Sequence, residues 1–275
     1  GNTTNGLTGS GLGVQLINVD GNGSYANDLL LTAISADVNR KTDAGAVYLV
    51  KNIDGLSGAK DLNEFTNNYA VLWNGGTLSD YLGFTSSASL GVQLVNSDNG
   101  SYSNDLLLTA RDADVNRKTD AGAVYLVKDI NSLSGVKDLN EFTNNYAVLW
   151  NGGTDSDQLG YTNISGLGVQ LVNSDNGAYS NDLLLTAVNA DVNSKSNNGA
   201  VYLVKGIDAL SGTKDLNEFT NNYAVLWNGG SASDNLGDTT NAITDSGLGV
   251  QFVNSDNGAY ATDLLLTADN ADING

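Results

Sequence analysis

Asn96-Ser-Asp-Asn-Gly-Ser-Tyr-Ser-Asn-Asp105 runs without a break into Leu106-Leu-Leu-Thr-Ala110. A loop dense in side-chain oxygens feeds directly into three consecutive leucines. A strand with one wet face alternates apolar and polar residues, so three leucines in a row read as a strand covered on both faces. The same unit starts again at Asn18, Asn173 and Asn254. The rest of the chain is spacing and packing between these copies.

Outward from the loop, Leu12-Gly-Val-Gln15 recurs as Leu90-Gly-Val-Gln93, Leu167-Gly-Val-Gln170 and Leu248-Gly-Val-Gln251, at steps of 78, 77 and 81 residues. Asp37–Lys51 is identical to Asp114–Lys128, and Asp61–Thr77 to Asp138–Thr154. Such likeness predicts stacked, equivalent units that each contact their neighbours. The divisions are a lead-in at 1–11, repeats at 12–89, 90–166 and 167–247, and a half repeat at 248–275, in one continuous architecture.

Each repeat offers four strand candidates, bounded by Gly, Asn, Asp and Ser clusters. In the second repeat these are A (Leu90–Val95), B (Asp105–Ala110), C (Ala123–Val127) and D (Tyr146–Trp150). The C-to-D segment Leu133–Asn145 predicts one short helical turn at Asp138–Phe142. Trp73, Trp150 and Trp227 keep one register, as do Tyr48, Tyr125 and Tyr202, which predicts interior packing ahead of a sugar-binding platform.

Composition narrows the function. The 275 residues carry 31 acidic against 12 basic side chains, a formal charge of −19. Nucleic acid and anionic membrane surfaces need a basic face, so neither is expected as a partner. Charged residues are only 16%, which argues for a folded chain. With no Cys there are no disulfides or thiolate metal sites, and with no His the commonest general base and zinc ligand are missing. No apolar run reaches transmembrane length. The chain holds no Met, so it reads as a processed or excised piece of something longer.

The A–B loops supply Asn18, Asp20, Asn22 and Asp28; Asn96, Asp98 and Asp105; Asn173, Asp175 and Asp182; and Asn254, Asp256 and Asp263. Calcium takes about six to eight oxygens from carboxylates, amides and backbone carbonyls and tolerates irregular geometry, so Ca2+ is the expected cofactor. On residue types alone, an Asx-rich hairpin turn without an ion accounts for the loops equally well. A second metal candidate is Asp112, Asp114, Asn116 and Asp120 between strands B and C, spaced like a calcium loop. Arg117 and Lys118 inside that loop oppose a cation. Acids that recur in every unit do not make one asymmetric pocket, and no nucleophile motif is present, so no enzyme is expected.

The glycine-bearing A strand, the Asp/Asn/Gly loop, Asp-Leu-Leu-Leu-Thr-Ala and Gly-Ala-Val-Tyr-Leu-Val together resemble the FG-GAP repeats of integrin α-subunit β-propellers and their bacterial relatives. Asp157-Gln-Leu-Gly160 before the next A strand matches as well. The resemblance implies an all-β fold of tandem four-stranded antiparallel blades of β-propeller type, about three and a half repeats of roughly 78 residues. It implies calcium in the A–B loops and ligands at the loops of the opposite face. In this chain Asn replaces the family's first Asp, and the loop is longer. The function expected is a non-enzymatic, extracellular or cell-surface calcium-binding repeat protein serving adhesion or self-assembly into a surface, matrix or filament. Its partners are a second copy, joined through the incomplete terminal repeat, or other surface proteins and glycans. The alternative is a lectin-like carbohydrate-binding module using the B–C and D–A loops.

Overall fold

The computed structural model describes residues 13–19, 26–60, 62, 70–84, 91–101, 103–139, 147–161, 168–175, 177–216, 224–238, 249–254, 263–268 and 270–271. The strands of the first repeat are β1 (Val14–Ile17), β2 (Asp28–Ala33), β3 (Ala46–Val50) and β4 (Ala70–Asn74). The second repeat has β5 (Val92–Val95), β6 (Asp105–Ala110), β7 (Ala123–Val127), β8 (Gly135–Asp138) and β9 (Ala147–Asn151). The third has β10 (Val169–Val172), β11 (Asp182–Ala187), β12 (Ala200–Val204), β13 (Gly212–Asp215) and β14 (Ala224–Asn228). The half repeat has β15 (Val250–Val253) and β16 (Asp263–Leu266).

Strands A to D of each full repeat form an antiparallel meander in one repeated register. Val92 faces Leu108, Leu107 faces Leu126, and Val124 faces Trp150. The third repeat matches with Val169 on Leu185, Leu184 on Leu203, and Val201 on Trp227. Short β-branched and aromatic runs between turn formers fit such a pleated surface.

The three leucines of strand B explain how units stack. Leu106, Leu107 and Leu108 are all fully buried. Successive side chains of a strand point to opposite faces, and here they enter two different cores. Leu106 and Leu108 join Trp73, Val71 and Tyr125 between the first two units, whereas Leu107 joins Trp150, Leu183 and Leu185 between the second and third. In the first unit Leu30 enters the core shared with the second, whereas Leu29 and Leu31, on the opposite face, are only partly buried. At the opposite end Leu264 and Leu266 pack inward, while Leu265 is 45% exposed. Each fully buried leucine contributes about 1.5–3 kcal/mol relative to exposure, so most hydrophobic stabilisation lies between sheets.

The glycine of strand A is set by backbone contact. A Cβ on Gly91 would lie 2.2 Å from the Gly83 carbonyl carbon. At that point the Gly83 N–H donates to the Thr109 carbonyl of the next unit at 2.9 Å. No side chain fits between the two backbones.

The expected tandem four-stranded propeller blades are corrected by the sheet topology. The described residues form sheets of five, five, four and two strands, none closed or curled into a ring. The inequality arises because β8 leaves its own unit and pairs in parallel with β4 of the unit before, and β13 does the same with β9. The FG-GAP resemblance fails with this topology, since a sheet that takes a strand from its neighbour is not a self-contained blade. The crossing strand β8 also occupies the start of the segment where a helical turn was expected. Residues 140–146, the remainder of that turn with Tyr146 of strand D, lie outside the described residues, as does Leu90 of strand A.

Candidate functional site: the seam between units

In the second and third repeats the oxygens of the expected metal loops are directed at the backbone. Asn96 accepts from the Gly100 N–H at 3.0 Å and donates to the Gly100 carbonyl at 2.7 Å, while Asp98 accepts from the same N–H at 3.0 Å. Asn173, Asp175 and Gly177 repeat this turn. Asp105 is fully buried and accepts from the Ser97 N–H at 3.0 Å, the Ser97 hydroxyl at 2.6 Å and the Asp129 N–H at 2.9 Å. Asp182 accepts likewise from Ser174 and the Gly206 N–H, and Asp28 from the Val19 and Asn52 N–H groups. Each of these carboxylates ties the A–B hairpin to the left-handed residue that opens the 3₁₀ turn after strand C. Asn18 and Asn254 follow β1 and β15, and Asp263 begins β16. Asp20, Asn22 and Asp256 lie outside the described residues.

The second candidate loop is a hairpin turn. Asn116 and Arg117 have φ of 54° and 66°, and Val115 and Lys118 exchange backbone hydrogen bonds at 3.2 and 3.0 Å. Two central residues with positive φ define a type I′ connection, whose twist matches the flanking chain. Asp114 accepts from the Asp120 N–H at 2.9 Å, and Asn116 donates to the Asn151 side chain at 3.0 Å. Asp112 is paired with Arg111 and accepts from Gln158 at 2.8 Å. Burial, and then the Asp112 and Asp114 charges, raise the Asp120 pKa. Among the described residues no three or more acidic side chains gather as a metal-holding group. The calcium-binding adhesion function read from the sequence is therefore corrected, because Asp28, Asp98, Asp105, Asp114, Asp175 and Asp182 serve as acceptors for backbone N–H groups that turns leave open.

The turn instead positions a lysine. Lys118 reaches the unit after its own, where Nζ meets both oxygens of Asp215 at 2.7 and 2.6 Å and donates to the Gly152 carbonyl at 3.3 Å. Lys41 does the same with Asp138 at 2.8 and 2.6 Å, and with the Gly75 carbonyl at 3.3 Å. These side chains are 17–20% exposed, so both pairs are partly shielded from water. The acids close the crossing strands β8 and β13, Gly135–Asp138 and Gly212–Asp215, and the first repeat carries the same Gly-x-Lys-Asp sequence at positions 58–61.

Three further contacts hold the crossing segment. Its 3₁₀ turn leaves carbonyls without intrahelical partners, and the lysine that ends strand C of the preceding unit takes them. Lys51 donates to the Asn131 and Leu133 carbonyls at 2.6 and 3.0 Å, and Lys128 to the Asp208 carbonyl at 2.8 Å. Ile130 and Leu139 flank β8 and are buried in the core between the first two units. Ile207 and Leu216 flank β13 in the next core. Sequence reading missed this seam, although its signal was the recurring Gly-x-Lys-Asp together with a lysine in the B–C loop.

Buried acids brace the D–A turns on either side. Asp80 and Asp157 are 1% exposed and accept from the Thr77 and Thr154 N–H groups at 2.8 Å, and from the same threonines' hydroxyls. Burial raises both pKa values, opposed by those threonine hydrogen bonds.

No protein-family model matches the chain. A comparison with curated proteins returns no significant match either. No helix among the described residues is long and apolar enough to cross a membrane.

Proposed function

We propose that the chain is a non-enzymatic rigid spacer, in which strand exchange turns successive units into one stiff body. The observation that carries this reading is the parallel pairing of β8 with β4 and of β13 with β9, locked by Lys41–Asp138 and Lys118–Asp215. Bead-like repeats joined by single connections pivot. A unit that also contributes a strand, two apolar plugs and an ion pair to its neighbour has no free hinge. The non-enzymatic part is supported by the use of the acids, which recur at equivalent positions as acceptors for backbone N–H groups. An extracellular or cell-surface setting belongs to the same proposal, supported by the cysteine-free composition, which leaves no thiol to oxidise.

The test exploits that composition. Ser57, Ser134 and Ser211 are equivalent exposed positions in three successive units. Spin labels on paired cysteine substitutions at Ser57 with Ser134, and at Ser134 with Ser211, should give two narrow distance distributions with one shared mean. Broad distributions would reject the spacer. Labelling of these cysteines on intact cells by a membrane-impermeant reagent checks the surface setting.

A further inference from the structure

We propose that Asn99–Gly100, at the tip of the second A–B loop, is a self-modification site. Asn99 loses its side-chain amide through a succinimide and ends as aspartate or isoaspartate, with Asp98 as the proton acceptor. Asparagine before glycine is a labile arrangement, because glycine has no Cβ to hinder ring closure onto its own nitrogen. Among the described residues the pair occurs at 74–75, 99–100, 151–152, 198–199 and 228–229. The fold separates one of these from the other four.

Those four are held in place. Asn74 and Asn151 close β4 and β9, are fully buried, and donate Nδ2 to the Gly75 and Gly152 carbonyls at 2.9 and 2.8 Å. Their Oδ1 atoms accept from Asn39 and Asn116 at 3.3 and 3.0 Å. Asn228 repeats this, donating to the Gly229 carbonyl at 2.8 Å and accepting from Asn193 at 3.4 Å. Asn198 is fully buried, accepts from the Val192 N–H at 2.9 Å and donates to the Gly229 carbonyl at 3.1 Å. The nitrogens that would attack are engaged as well, since the Gly75, Gly152, Gly199 and Gly229 N–H groups donate to the Gly45, Gly122, Ala190 and Asn198 carbonyls. A carboxamide tied at both ends cannot swing its Cγ onto the next nitrogen without leaving polar atoms unpaired.

Asn99 differs on each count. It and Gly100 are exposed, and among the described residues no hydrogen bond holds its carboxamide. Its φ of 67° is the left-handed conformation that asparagine tolerates at turns. The Gly100 N–H donates to Asn96 Oδ1 and to Asp98 Oδ1, each at 3.0 Å. A carboxylate within hydrogen-bond reach of the departing proton is placed as a general base. As that proton passes to Asp98, the Gly100 nitrogen bonds to Asn99 Cγ. The Cγ–Nδ2 bond then breaks, and ammonia leaves with the proton returned from Asp98. Water opens the ring at the side-chain carbonyl to give aspartate, or at the backbone carbonyl to give isoaspartate, which routes the main chain through Cγ. Either product adds a negative charge beside Asp98. Asp105 anchors the hairpin below the tip through the Ser97 and Asp129 N–H groups, so the change stays in the loop and the units remain stacked.

Peptide mapping by mass spectrometry tests this on the full folded chain held at neutral to mildly alkaline pH. Asn99 should convert, with isoaspartate among the products, while Asn74, Asn151, Asn198 and Asn228 stay intact. The same chain unfolded in guanidinium should convert all of them. Asp98→Asn keeps an oxygen for the Gly100 N–H but removes the base, and should slow conversion about tenfold or more. Circular dichroism confirms that this variant folds. If Asn99 survives in the folded chain for the time the unfolded chain takes to convert it, the proposal is overturned. Equal conversion of one of the four held asparagines overturns it too. An unchanged rate in Asp98→Asn overturns the role given to that carboxylate.

Discussion

Replacing Lys118 by Ala should destabilise the chain far more than replacing Lys195, although both sit on the same turn of equivalent units. Lys118 makes two short bonds to Asp215 and one to the Gly152 carbonyl, with both charged side chains less than 20% exposed. A hydrogen bond to a charged group contributes about 1.5–3 kcal/mol, and a truncated partner leaves the other charge uncompensated. Partial exposure screens the pair, so the expected loss is about 2 kcal/mol, from these magnitudes discounted toward those of surface pairs. Lys195 has no carboxylate partner among the described residues, and its removal should cost about 0.5 kcal/mol or less. Urea unfolding measures both, at a concentration where the chain is monomeric. A double-mutant cycle of Lys118→Ala with Asp215→Ala should return a coupling of about 1–2 kcal/mol that shrinks in high salt. Native-state hydrogen exchange should show faster opening at the Leu216 N–H, which donates to the Asn151 carbonyl at 3.2 Å. Equal losses at Lys118 and Lys195, or a coupling near zero, would refute the claim that the ion pair locks the crossing strand.

Other expectations follow from the same contacts. Gly91→Ala places a Cβ 2.2 Å from the Gly83 backbone and should cost about 3 kcal/mol by thermal or urea unfolding, since overpacking forces backbone movement. Asp105→Ala leaves the Ser97 and Asp129 N–H groups without their acceptor and should lose about 3 kcal/mol, with Ser97→Ala losing nearer 1 kcal/mol. A thermal midpoint compared in calcium and in excess chelator should stay within about 1 °C, because ligand linkage adds stability only where the folded state binds the ion. For Asp80 and Asp157 the native pKa lies above the unfolded value of 3.8. In the window between those values the native state holds the extra proton, so stability at these sites falls as pH rises through it and levels off above the native pKa. Asp157→Asn should flatten that slope in unfolding measurements across the acid range.

The repeats, their steps and the B and C strands were legible in the sequence. Three adjacent leucines leave a strand no wet face, and Leu106, Leu107 and Leu108 enter two cores as that pattern requires. Residue types also placed the Asn and Asp loops between strands A and B. They did not decide what the oxygens meet, because an Asx turn and a calcium loop use the same side chains, and only position separates them. Asp105 ends on the Ser97 and Asp129 N–H groups. The crossing strand was beyond a local reading for a related reason. Gly135–Asp138 has four residues and no alternation of its own, and its partner β4 lies in another unit. Lys41 and Asp138 are 97 residues apart, so no window along the chain contains both halves of the pair. Composition and period settle that there are stacked β units. The seam that joins them exists only once the units are packed, since its hydrogen bonds, plugs and charges each take one half from either side.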